Sequence, residues 1–270
     1  MLQKAHVDRC FIIFAVAFGL RQAADYFNTS PYGSGISSFA SLGIALIVVL
    51  LIGSERSGFG EHGFLTPNRL NRLLAISLFL AFLFTLVVIF VPGGASGFEA
   101  LPGAPISWDL LFTCGNTLLA VIAAETVFRG YVQTELENAY GFSLALTVVS
   151  IMFTLYMLPL SVYSTVDSGS LIRLSLPLLA DSIFLCYFFR ETKTLLCPII
   201  FATTVTLLET FTPLVPTSGE YTSLVSLVCY IFLVPVMQSF IQDVREQNAR
   251  NEPIPEIEQE QTVEADAHVF

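Results

Sequence analysis

Two side chains able to do chemistry stand four residues apart in the stretch Ala123-Ala124-Glu125-Thr126-Val127-Phe128-Arg129-Gly130. On a helix, positions i and i+4 share a face, so Glu125 and Arg129 can pair. A carboxylate so placed can serve as a general base, and a guanidinium can stabilise a developing oxyanion. The sequence around them is almost all hydrocarbon. A charge in a membrane helix costs ~2.5–3.5 kcal/mol on insertion scales, which makes such a residue a functional candidate. The competing expectation is structural: each charge neutralises the other and ties its helix to a neighbour. Asp181 and Glu209 are two further acids inside apolar runs.

The elements that position these groups follow from composition. Of 270 residues, 54% are hydrophobic and 13% are charged, with a mean hydropathy of +0.72. A soluble domain carries about 25% charged residues. An all-α, polytopic membrane protein is therefore expected, with no strand signal of any length. The five cysteines (Cys10, Cys114, Cys186, Cys197, Cys229) lie in apolar runs without a CxxC pair, so neither a disulfide framework nor a zinc site is indicated. No cofactor is indicated. No basic patch points to nucleic acid. The expected partners are membrane lipid and a transmembrane or lipidated peptide.

Eight spans are expected in order. The first covers about residues 7–27 if Arg21 snorkels to the interface. A signal peptide competes with that reading, but no small-x-small cleavage site follows, and a retained helix is preferred. The second covers about 36–53. The third begins at Thr66-Pro67, a cap followed by proline at the first helical position, and runs to about 92. The fourth is long, about 107–140: Ser107 caps it, Trp108 suits an interface and Gly141 ends it. The remaining spans are about 142–163, 171–189, 194–214 and 221–241. With both termini cytoplasmic, nine of the twelve basic residues lie on the inner side, as the positive-inside rule requires. The chain divides into residues 1–106 (three helices), a core over 107–243 (five helices) and a tail over 244–270. From Asp243 onward there are eight acids and two arginines, with no apolar periodicity, so the tail is expected to be disordered.

The fourth and fifth helices form a hairpin about Gly141. Glu125 lies 16 residues before it and Met157 lies 16 after it. At 1.5 Å per residue both stand about 24 Å from the turn, at a common depth. A water-activating site needs a histidine opposite the carboxylate; this chain has methionine.

These residues resemble the CPBP intramembrane proteases, the family of type II CAAX prenyl endopeptidases and of lysostaphin-resistance and bacteriocin-immunity proteins. The family's Glu-Glu-x-x-x-Arg motif is read here as Ala124-Glu125-Thr126-Val127-Phe128-Arg129, followed by Gly130. Its Phe-x-x-x-His motif is read as Phe153-Thr154-Leu155-Tyr156-Met157, followed by Leu158-Pro159. A third, weaker motif falls on Pro198 to Ala202, then Thr206. The resemblance covers about residues 107–211. It implies that a Glu and a His activate water while a second His and an Asn hold the oxyanion. Carried over, those roles fall on Ala124, Met157, Ala202 and Thr206. A methyl group and a thioether cannot move a proton, and Thr206 stands alone. The surviving motif residues are Glu125 and Arg129. The histidines are His6, His62 and His268, all in segments expected to lie in water. A His-dependent hydrolytic site within the bilayer is therefore not expected.

Three functions from different classes follow. A catalytically silent member of the family would bind a membrane protein or lipidated peptide in a groove lined by Ala124, Phe153, Met157, Ala202 and Thr206. An active endopeptidase would use Glu125 as base and Arg129 as oxyanion donor. A transporter would string Glu125, Arg129, Asp181 and Glu209 into a polar path; a compact cluster of these groups would instead indicate structural pairing.

Overall fold

A computed structural model describes residues 2–27, 40, 43–50, 52, 70–90, 108–158, 167–211 and 219–251. Among the described residues the chain is helical and has no strand. The elements are α1 (Leu2–Phe27), a helical stretch over 43–50, α2 (Leu70–Phe90), α3 (Trp108–Glu125), a π-helical segment (Thr126–Gln133) and α4 (Thr134–Tyr140). Then come α5 (Phe142–Met157), α6 (Ser168–Thr192), α7 (Leu196–Phe211) and α8 (Gly219–Asn251).

Among the described residues, three helices are long and apolar enough to cross a membrane: Leu70–Val88, Ser168–Thr192 and Val225–Glu246. Phe142–Met157 and Leu196–Leu208 are apolar but shorter. The α2 sequence is apolar on nearly every side, which suits a helix packed on one flank and facing lipid on the other. Its Leu80 and Phe84 are buried while Phe79 and Phe82 are exposed. The same division marks α8, where Leu233 and Met237 are buried and Ile231 and Phe232 are exposed.

Two packed clusters hold the bundle. One joins α1, the 43–52 region, the π segment, α5 and Cys186 of α6. The other joins α2, α6, α7 and α8 around Phe84, Phe184, Phe188, Phe201 and Tyr230. Phe84 and Tyr230 stack with centroids 4.5 Å apart, and Phe184 and Phe201 stand 4.8 Å apart. α6 serves both clusters and packs on α5 and α8. α7 packs on α2 and α3.

Several boundaries depart from the sequence expectation. α1 begins at Leu2 and takes in His6, which was placed ahead of the helix. α5 ends at Met157, short of residue 163; Leu158 is extended (φ −85°, ψ 121°) because the following Pro159 disfavours the helical conformation before it. α8 runs to Asn251, eight residues into the segment read as disordered tail. Arg245 explains part of that extension: its Nη2 lies 2.9 Å from Glu191 Oε2 and donates to the Glu191 carbonyl at 2.7 Å. The fourth span is continuous over Trp108–Tyr140 as expected, but its centre is π-helical. Gly141 ends it at φ 83°, and its amide bonds the Glu137 carbonyl at 2.9 Å. The starts of the second and third spans, Pro159 and residues 252–270 lie outside the described residues.

Candidate functional site: a buried ion pair on a π-helical segment

The π segment buries all eight of its residues. A π turn takes one extra residue, is rare, and is frequently found at functional sites. Here it carries Arg129 into a setting with 0% exposure, beside Glu125 at 1%. Glu125 Oε1 lies 3.2 Å from Arg129 Nη1. The pairing expected from the sequence spacing is thus formed.

Arg129 reaches two other helices. Its Nη2 donates to Ser182 Oγ of α6 at 3.3 Å. Its guanidinium carbon sits 4.1 Å from the centre of the Phe153 ring of α5, a cation–π contact. Phe153 meets Phe128 edge-on at 5.4 Å, and Phe128 meets Tyr156 at 5.1 Å and Phe14 of α1 at 6.4 Å. One turn further along, Gln133 Nε2 donates to the Cys186 carbonyl at 3.0 Å. Gln22 of α1 donates to the Leu158 carbonyl at 3.0 Å and satisfies the end of α5.

Asp181 converges on the same place. The Arg129 charge acts on it, it acts on Glu125, and the Tyr230 hydroxyl bonds its carboxylate. Asp181 is thus within electrostatic reach of both Glu125 and Arg129. The Glu209 side chain lies outside the described residues.

The other candidate residues are spread out. Ala124 (6% exposed) and Phe153 (3%) are buried in the first cluster and offer no surface to a ligand. Met157, at the last residue of α5, is exposed at 36%. Ala202 is partly buried beside the second cluster. Thr206 is exposed, and its hydroxyl donates to the Ala202 carbonyl at 2.8 Å. Among the described residues no group of three His, Cys, Asp or Glu side chains converges as a metal site. Ser182 and Gln133 were missed in the sequence. No local pattern marked them; both bonds join positions 53 residues apart, Arg129 to Ser182 and Gln133 to Cys186.

A helical membrane protein with a buried Glu–Arg pair beside a helical hairpin is the class this geometry defines. The family model described as type II CAAX prenyl endopeptidase Rce1-like matches residues 106–208. The match falls on the same stretch whose motifs resemble the CPBP family. A search of curated proteins finds no match.

Proposed function

We propose that this chain is a multi-pass protein of the cell membrane, with eight spans and both termini cytoplasmic, that acts by binding rather than by cleavage. The observation that carries this reading is the set of side chains at the chemical positions. Ala124, Met157 and Ala202 stand where the family resemblance calls for a Glu and two His, while the packing pair Glu125–Arg129 is intact. Loss of the reactive groups with retention of the scaffold is what a binding role requires. The ligand is a transmembrane or lipidated peptide. Of the groove residues, Met157 and Thr206 are the exposed ones; a methionine adapts to irregular apolar partners.

The endopeptidase alternative needs a base free to take a proton from water. Glu125 already faces Arg129, with its side chain 2% exposed. The transport alternative is weakened because Arg129 acts electrostatically on Asp181 as well as pairing with Glu125.

The test uses purified full-length protein in lipid nanodiscs with prenylated and unprenylated peptides. Binding of the prenylated peptide without cleavage, weakened by Met157→Asp, is the expected result. Cleavage that disappears in Glu125→Gln would overturn the binding reading in favour of a hydrolase. Absence of both binding and cleavage would also overturn it.

A further inference from the structure

A cavity of about 150 Å³ opens between α1 and the helical stretch over 43–50. Its floor is buried: Ile13 and Ala17 on α1, with Ile44 and Val48 opposite. Its rims are exposed: Ile12 and Val16 on one side, Ile47 on the other. Every lining side chain is hydrocarbon, and a cavity so lined does not hold water. Ala17 makes the room, since a single methyl group stands where a larger side chain would fill the floor.

A second observation says what fits there. Arg9, Ile13 and Val16 are spaced i, i+4 and i+7, so Arg9 stands on the same face of α1 as the cavity, one turn before it. Arg9 is exposed. The neighbouring acid, Asp8, is turned about 100° away round the helix. A guanidinium at one end of an apolar slot matches an anionic phospholipid: Arg9 can donate two parallel N–H bonds to the phosphate while an acyl chain lies over Ile13 and Ala17. The lengths agree. Arg9 to Ala17 spans about 12 Å of helix at 1.5 Å per residue, within the roughly 15 Å of hydrocarbon in one leaflet. We propose that this slot binds one anionic phospholipid, with its phosphate on Arg9 and one acyl chain in the cavity. The inference rests on the first span of the proposed topology and is independent of peptide binding.

The test offers full-length protein in detergent phosphatidylglycerol and phosphatidylcholine with identical acyl chains, and counts retained lipid by native mass spectrometry. One phosphatidylglycerol per chain is expected, preferred about five-fold over phosphatidylcholine, the factor that one basic residue near a membrane surface contributes. Arg9→Gln is expected to abolish the preference, and Ala17→Phe to expel both lipids. Arg9 is exposed, so its variant decides the proposal even where Ala17→Phe disturbs packing. Equal retention of the two lipids by the wild type, or a preference unchanged in Arg9→Gln, would overturn the proposal. Ile12→Cys, treated in vesicles with a water-soluble maleimide, tests the span separately: labelling no greater than that of the wild type is expected. Rapid labelling would overturn the first span and the lipid site with it. Protection without lipid retention would overturn the lipid site alone.

Discussion

Arg129 joins three helices through one side chain: Glu125 on its own helix, Ser182 on α6 and the Phe153 ring on α5. Removing one member of a buried ion pair leaves the other charge unpaired and costs about 3–5 kcal/mol. Arg129→Met is therefore expected to lower unfolding stability by roughly that amount, read by denaturation in mixed micelles. The triple variant Glu125→Leu/Arg129→Met/Asp181→Asn is expected to recover most of the loss, because no lone charge remains. A triple variant as unstable as the single one would mean that the contacts to Ser182 and Phe153 dominate. Arg129→Lys is expected to fall between, since an ammonium keeps the charge but loses the planar face on Phe153 and the second donor. The pair itself was legible in the sequence from its i, i+4 spacing. Its partners were not, because Ser182 and Phe153 are brought in by packing between distant segments, and local spacing carries no trace of that.

At the scale of single elements, helix ends give the clearest tests. Gly141 holds φ 83° with ψ 166°, a region essentially restricted to glycine. Gly141→Ala is expected to cost about 1–3 kcal/mol, measured as a lower melting temperature. No atom crowds the position, so the penalty is conformational rather than steric. Asp167 caps α6 by accepting from the Ser170 amide at 3.1 Å. Its hydrogen bonds to Ser170, side chain and backbone, hold the carboxyl below its ordinary value of 3.8. A depressed folded value means that the cap contributes fully above the unfolded value and loses its contribution as pH falls through the folded one. Wild type is thus expected to lose α6 stability in acid below pH 3.8, while Asp167→Asn, which caps without titrating, keeps a flatter profile there. Equal acid sensitivity in both proteins would exclude this cap as the cause. The helix stop at Gly141 was readable because glycine is the usual residue there. The stop at Leu158 was equally available from Pro159 but was outweighed by the apolar run beyond it. The π segment had no sequence signature at all; its extra residue is invisible until the side chains on either side of it are placed.

For the whole molecule, hydrophobic patterning was the most legible feature, because a bilayer imposes length and apolarity on each helix separately. The two-cluster arrangement, with α6 as the common wall, was not legible, since every apolar helix presents similar surfaces to lipid and to protein. Rows of exposed side chains such as Phe79, Phe82, Ile231 and Phe232 are the faces expected to meet acyl chains. Reporter fusions at the two termini test the eight-span proposal: both are expected on the cytoplasmic side, and opposite sides would require an odd number of spans. The register between the π segment and α6 has a mechanical meaning as well. Both cross-bonds keep the same separation, so the two helices run in the same direction and step together. If one slid past the other by a turn, about 5.4 Å, Arg129 would come opposite Leu178 in one direction or Cys186 in the other. Either stop strips the guanidinium of its hydroxyl acceptor, and neither offers a replacement. The seam is a detent: the two inner helices resist acting as pistons.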